Sequence, residues 1–175
     1  MTAHVRAVRD VRTHVTTFTT LHPSPVGDIL LRADDEGRLT ELFLRHDERP
    51  ATTDDGPFTA VREQLDAYFA GELDAFDLPL EAHGTPFQMR VWDELVRIPF
   101  GETISYSELA RRLGDPKLVR AVGTANGRNP ISIVIPCHRV IGADGSLVGY
   151  GGGLDRKRWL LEHEAVASGH RLPVG

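Results

Sequence analysis

Apolar positions follow two different rhythms along this chain. Val15 to Thr20, Ile29 to Ala33 and Leu39 to Leu44 are short β-prone segments. The last two flank Asp34-Asp35-Glu36-Gly37, a turn cluster that predicts a hairpin. From Pro57 the spacing changes to three or four, with Phe58, Val61, Leu65, Tyr68 and Phe69 on one helical stripe and Gly71 placed to stop it. Met1 to Thr13 is polar and expected to fray, and His46 to Gly56 reads as an acidic loop. Residues 15 to about 80 therefore predict a small sheet with one helix, a packing scaffold without recognisable chemistry.

Glu72 to Gly84 connects this part to a more helical second half, which divides the chain into domains at 1–84 and 85–175. Thr85-Pro86-Phe87-Gln88 is a compact helix start, with a threonine cap, proline at the first position and a glutamine to return the hydrogen bond. Phe87, Val91, Leu95 and Ile98 supply the stripe, Met89 and Trp92 read as core, and Pro99-Phe100-Gly101 ends the helix. Ser105-Tyr106-Ser107-Glu108 reads as a second capping box, opening a helix that Gly114 stops. Asp115-Pro116 caps another from about Lys117 to Asn126. Two short helices joined this way have the layout of a helix-turn-helix. Arg111, Arg112, Lys117, Arg120 and Arg128 cluster around it. Ala121, Gly123 and Ala125 would let the second helix approach a groove, or equally pack tightly against another helix. A last helix spans Asp155 to His163 with Trp159, Leu160 and His163 facing inward, and Ala165 to Gly175 reads as a loose tail.

Ile131-Ser132-Ile133-Val134-Ile135 is an apolar, β-branched run of strand length, predicting a strand buried on both faces. Pro136 ends it, and the only cysteine, Cys137, follows with His138 and Arg139. A thiol becomes reactive where a nearby cation or base favours the thiolate. A lone cysteine can also be an inert small hydrophobe, and adjacency alone does not pair Cys137 with His138. A closed zinc site needs four ligands, which one cysteine and scattered histidines do not offer, so no metal is expected. Gly149 to Gly153 lacks the Gly-Lys-Ser/Thr ending of a phosphate loop and better suits the wall of a pocket.

Composition narrows the class. With 175 residues, 41% hydrophobic and 26% charged, the chain suits a soluble globular protein. It has neither a membrane-length apolar stretch nor a signal-like start, and a single cysteine suits a reducing cytoplasm. The net charge of −5 is unevenly placed. Residues 1–83 hold 8 basic and 16 acidic residues, whereas residues 84–175 hold 12 and 9. Local charge determines whether phosphates are attracted, and the half with the motifs is the basic one.

Pro136-Cys137-His138-Arg139-Val140, preceded by Asn129-Pro130 and followed by Gly149-Tyr150-Gly151-Gly152-Gly153 and Trp159-Leu160-Leu161-Glu162-His163-Glu164, resembles the O6-alkylguanine-DNA alkyltransferases. The motifs span roughly Thr85 to Glu164. The resemblance implies an α+β fold, a ribonuclease-H-like sheet-plus-helix domain followed by a mainly helical, winged helix-turn-helix-like domain. It implies that Cys137 accepts the alkyl group, that His138 takes its proton through a water, that Glu164 orients His138, and that Asn129 ties backbone groups near Cys137. Tyr106 would contact an extruded base, and Val140, Tyr150 and Gly151 would line its pocket. Gly151 stands where some relatives have serine, leaving only an amide to address O6. Arg120 would fill the vacated space in the stack, with Ser107, Lys117, Ala121 and Ala125 as further DNA contacts. The implied partner is double-stranded DNA carrying O6-alkylguanine, or O4-alkylthymine, bound by a monomer with scope for cooperative binding. No organic cofactor or catalytic metal is implied, and each molecule would react once. Two other classes stay open: a non-catalytic helix-turn-helix DNA-binding protein with a structural Cys137, and a Cys-His hydrolase.

Overall fold

The structure is a computed structural model that describes residues 17–44 and 56–169. Strands β1 (Phe18–His22), β2 (Ile29–Ala33) and β3 (Leu39–Phe43) form an antiparallel sheet in the order β1-β2-β3. The central strand is buried at Ile29, Leu30, Leu31 and Ala33, while Arg32 pairs across to Glu41. The predicted hairpin is present. Asp34 closes its turn by accepting from the amides of Glu36 and Arg38, and Gly37 takes the positive φ of 75° that the tight turn needs. The first strand starts at Phe18 and runs to His22, later than expected. Positions 1–16, 45–55 and 170–175 lie outside the described residues, and with them the expected fraying start and most of the acidic loop.

Helix α1 (Thr59–Phe69) covers the sheet with Val61, Leu65 and Tyr68 buried, and Gly71 at φ 77° turns the chain away. Arg62 of α1 donates to Thr20 of β1 at 2.7 Å, which pins the helix to the sheet. The outer edge of β3 is not left bare. Leu39 exchanges backbone bonds with Pro79 and Glu81, while the Leu42 amide donates to Pro130 at 2.8 Å and its carbonyl accepts from Ser132 at 3.1 Å. The sheet thus holds both the linker and the segment leading to Cys137.

Helix α2 (Pro86–Val96) carries the predicted reciprocal capping box between Thr85 and Gln88. Strand β4 (Ile104–Ser105) leads into α3 (Tyr106–Arg112). A 3-10 turn, Pro116–Leu118, then leads into α4 (Val119–Gly127), completing the helix-turn-helix layout. Ser105 accepts from the Glu108 amide, but the Glu108 carboxylate turns to Arg111 and Arg112 instead of completing a second box. Guanidinium groups one turn along the same helix are stronger partners for a carboxylate than one backbone amide. Strand β5 (Val140–Ile141) pairs in parallel with β4. The closing helix α5 spans Leu154–Ser168 and reaches well into the expected tail, because Ala165 is buried and Gly169, at φ 72°, is the first residue suited to stop it.

The stretch from Ile131 to Ile135 is not a strand. Ile131 makes a single bridge to Leu42, after which tight turns overlap, Val134 N bonding to Ser132 O at 2.8 Å and Ile135 N to Ile131 O at 3.0 Å. A run buried on all sides has no polar positions to reveal its period, so β-branched composition suggested a strand where side-chain hydrogen bonds impose turns. Buried side chains from the sheet, α1, α2, α4 and α5 form one continuous core, from Leu31 and Leu65 through Trp92 and Val122 to Leu160. The fold is α+β, a small sheet-plus-helix part followed by a helical part. Among the described residues no helix is long and apolar enough to cross a membrane.

Candidate active site

Asn129 builds the turn that presents the thiol. Its amide NH2 donates to Ile135 O at 2.7 Å and its Oδ1 accepts from Ile131 N at 3.0 Å, so one buried side chain ties both ends of the turn. Ile133, between them, sits at φ 70°, a conformation costly for a β-branched residue. The chain then enters a 3-10 turn, Cys137–Arg139, in which all three residues are buried. Successive residues on such a turn do not alternate across a sheet, which removes the objection that adjacency places Cys137 and His138 on opposite faces.

Glu164 on α5 is the hub behind them. Its Oε1 lies 2.7 Å from His138 Nε2 and 3.0 Å from Arg139 Nη2, and its Oε2 lies 2.8 Å from Arg139 Nε. Tyr68 Oη donates to Oε1 at 2.7 Å, and the Gly101 amide donates to Oε2 at 3.2 Å. Burial by itself would raise the carboxyl pKa, but His138 and Arg139 overcome it and hold Glu164 well below the usual carboxylate range. Burial lowers His138, and Arg139 and Lys157 push the same way against the attraction of Glu164. The pair therefore rests as carboxylate and neutral imidazole. An ionised carboxylate only accepts, so Nε2 carries the imidazole hydrogen. Nδ1 is left as a buried acceptor with no hydrogen-bond partner among the described residues.

Cys137 is 4% exposed. Burial pushes its thiol up, opposed by Asn129, Lys157 and Ser132, so the resting group is a thiol that needs a base. The fields of Tyr106, Tyr150 and Lys157 are each coupled to it. Tyr106 Oη reaches the carbonyls of Val148 and Gly149 at 3.1 and 3.3 Å and so holds the glycine-rich loop. Tyr150 Oη is buried without a hydrogen-bond partner among the described residues. The carbonyl of Val140 is taken by Lys157 Nζ at 2.6 Å. Gly151 is exposed, near the Gly127 carbonyl. A cavity of about 260 Å³ lies elsewhere, between Phe76, Ile98, Phe100, Val134, Pro136 and Arg139, and Cys137 is not part of its wall.

Four contributors to this site were not singled out from the sequence. Arg139 was noted only as part of a motif. Lys157 is fully buried, donates to Val140 O and, at 3.0 Å, to Val148 O, and has its pKa lowered to about 8 by burial. It shares the inward face of α5 with Leu160, Leu161 and Glu164, a spacing of three and four readable in the sequence. That face leaves Trp159 and His163, expected inward, half-buried on its flank, stacked at 5.0 Å. Asn126 on α4 donates to Cys137 O at 3.3 Å. Tyr68 corrects the reading of the N-terminal part as bare scaffold: an aromatic on the core face of α1 carries a hydroxyl that must find a partner, and it finds Glu164.

On the helix-turn-helix, Ser107, Lys117, Arg120 and Ala121 are exposed, as is Arg128. Ala125 is not available to a groove. It is 2% exposed, and its carbonyl accepts from Trp92 Nε1 at 2.9 Å, so its small side chain serves packing of α4 on α2. Gly123 likewise lies against the Tyr106 ring.

Comparison with known proteins places this geometry. Residues 86–166 match the family model described as the 6-O-methylguanine DNA methyltransferase DNA-binding domain, and residues 17–82 match its ribonuclease-like domain. The methylated-DNA–protein-cysteine methyltransferase of Mycobacterium tuberculosis is 53% identical over 146 residues, 81% of this chain and 88% of the relative. That of Methanosarcina acetivorans is 47% identical over 152 residues, 84% and 97% of the two chains. A crystal structure of the Mycobacterium tuberculosis O6-methylguanine methyltransferase superposes with a TM-score of 0.80 at 49% identity, covering 87% of this chain and 94% of that one. Another, of the same organism's OGT in complex with DNA, gives 0.76 at 50% identity, covering 86% and 93%. The chain belongs to the methylated-DNA–protein-cysteine methyltransferase family.

Proposed function

We propose that this protein is a direct-reversal DNA repair protein that transfers the alkyl group of O6-alkylguanine, and of O4-alkylthymine, in duplex DNA to Cys137, once per molecule. The observation that carries the reading is a lone buried thiol one residue before a neutral histidine on the same 3-10 turn, a histidine held by Glu164 through Nε2 and left at Nδ1 with no hydrogen-bond partner among the described residues. His138 Nδ1 takes the thiol proton through a bridging water. The thiolate then attacks the alkyl carbon in line, the S–C bond forming as the C–O bond breaks. The electron pair leaves with O6 and the purine takes up a proton, matched by the one that His138 accepted from the thiol and returns through water. The product is a thioether, which no group in the site can cleave.

The chemistry requires a flipped base, because an O6 adduct inside the stack cannot reach a sulfur at 4% exposure. Arg120, exposed on α4, would enter the vacated stack, with Ser107, Lys117 and Ala121, also exposed, as further DNA contacts. Tyr106, whose hydroxyl bonds the carbonyls of Val148 and Gly149, and Tyr150, whose hydroxyl has no partner among the described residues, would address the purine. Gly151 and the Val140 backbone would complete the pocket. The test is intact mass after mixing with O6-methylguanine duplex. One methyl group per molecule on the Cys137 peptide, and no repair by Cys137→Ala, is the expected result. DNA binding with unchanged mass would leave a DNA-binding protein only.

A further inference from the structure

Tyr68 lies on α1, 96 residues from Glu164, yet its hydroxyl donates at 2.7 Å to Oε1, the oxygen that faces His138 Nε2 at the same distance. The side chain is held on every side. It is 0% exposed, its ring meets Phe100 edge-on at 5.9 Å and His163 at 5.3 Å, and its carbonyl bonds His163 Nε2 at 2.7 Å. Packing would be served by the ring alone. The hydroxyl adds something else, because it is a neutral donor on the one anion that orients the histidine.

We propose that Tyr68 is a positioning residue for alkyl transfer: by donating to Glu164 it keeps His138 in the neutral, Nε2-protonated form whose Nδ1 can accept the Cys137 proton. The N-terminal half thereby completes the active site instead of merely supporting it. This inference rests on the alkyl-transfer reading above.

The direction of the effect follows from competition at the carboxylate. Each donor to Glu164 spreads its charge and weakens its hold on a proton at His138. The groups facing this pair are Arg139 from the 3-10 turn, the Gly101 amide, Tyr68 from α1, and Cys137 beside His138, while Tyr150 and Lys157 act through their fields and His163 turns to the Tyr68 carbonyl. His138 and Arg139 oppose the cost of burying this charge, and the Tyr68 hydroxyl adds a neutral donor on the same oxygen that faces His138. Removing its hydroxyl should make the imidazole more basic, so that His138 is protonated at pH values where it now acts as base.

The experiment uses the full chain. Cys137 alkylation by O6-methylguanine duplex is followed by mass across pH, and the imidazole nitrogens of His138 are titrated by nitrogen-15 NMR, in wild type and Tyr68→Phe. The rising limb of the rate profile and the His138 midpoint are expected to move up together by about half a unit or more, so that a several-fold loss at low pH fades at high pH. Incorporating 3-fluorotyrosine at position 68 strengthens the donor without changing the packing and should move both the opposite way. Phe76→Leu, which trims a ring 5.4 Å from that of Tyr68 without touching the carboxylate, should lower the melting temperature and leave the limb in place. An unmoved limb and an unmoved His138 midpoint in both Tyr68 variants would overturn the proposal and reduce Tyr68 to packing. Absence of any methyl on wild-type Cys137 would instead sink the alkyl-transfer reading, with the NMR arm still reporting whether Tyr68 governs His138.

Discussion

Arg139 and Glu164 meet fork to fork, Nε to Oε2 at 2.8 Å and Nη2 to Oε1 at 3.0 Å, with both side chains almost wholly buried. A bidentate pair of this kind fixes orientation as well as charge, and Arg139 is itself anchored by Nη1 on Ile98 O at 2.6 Å. The histidine of the site is therefore aligned by a carboxylate that cannot rotate.

Removing one partner strands the other in a low-dielectric interior. Arg139→Met or Glu164→Leu should each lower the unfolding free energy by about 3–5 kcal/mol, measured by urea denaturation. The double variant Arg139→Met, Glu164→Leu should recover much of that loss yet accept no alkyl group, because His138 loses its aligning carboxylate. Additive losses in the double variant would show that the two charges do not depend on each other.

His138 and Glu164 make stability fall in acid, in two stages. His138 is held below its ordinary value, so as pH drops through about 6.5 the unfolded chain gains a proton that the folded one resists, and stability is lost. His22, lowered by its burial, acts with the same sign. Glu164 is depressed far below about 4.5, so its contribution is intact above that value and declines as pH falls beneath it. Denaturation midpoints from pH 8 to about 5 should trace the first stage, with His138→Gln flattening it, and midpoints carried from about 4.5 to about 2 should trace the second. A wild-type midpoint that stays level from pH 7 to 5 is incompatible with a neutral buried His138.

Lys157 sits between the thiol and the loop. With its pKa lowered to about 8, it is largely charged at neutral pH, and that charge favours the Cys137 thiolate. Lys157→Met keeps the volume but removes the charge and the bonds to Val140 O and Val148 O. The thiol should titrate at higher pH, read from thiolate ultraviolet absorbance, and alkylation at pH 7 should slow by about tenfold for each unit of that rise. An unchanged thiol titration would mean that Lys157 acts only as a loop anchor.

Ile133 offers a backbone test. At φ 70° an L side chain is strained, so the usual preference for alanine over glycine should invert here. Both truncations lose the buried side chain, at about 2–5 kcal/mol. Ile133→Gly should nonetheless be more stable than Ile133→Ala by about 1 kcal/mol in matched urea melts. Alanine proving the better substitute would place the position in an ordinary conformation.

That residue also marks where sequence reading stopped. The stripe of α1, the Thr85 cap of α2 and the Asp34 turn were legible because each follows a local rule, a period or a side chain bonding its own neighbours. The segment from Ile131 to Ile135 obeys Asn129 and Leu42, which are fixed by tertiary contacts, so its composition pointed to the wrong element. The site divided in the same way. Cys137, His138 and Glu164 stood in motifs carried by the family resemblance, and the spacing that places Lys157 on the face of Glu164 was present without being used. Tyr68 sits 96 residues from its partner, and no local pattern links them. Ala125 was misplaced because small residues serve a groove and a helix contact equally well.

A substitution at Arg120 tests whether recognition of DNA can be separated from chemistry on the base. It is exposed on α4, the second helix of the helix-turn-helix, and is not among the groups that hold Cys137, His138 or Glu164. If it fills the space left by a flipped nucleotide, its value exists only in duplex, where unstacking costs a few kcal/mol. Arg120→Ala should therefore slow repair of O6-methylguanine duplex by about tenfold or more, equivalent to roughly 1.4 kcal/mol, while its reaction with free O6-benzylguanine stays near that of wild type. Binding should also weaken as salt rises, with a shallower slope in Lys117→Ala, which removes an exposed charge suited to phosphate. Equal losses on duplex and free base would move Arg120 from intercalation to support of the fold.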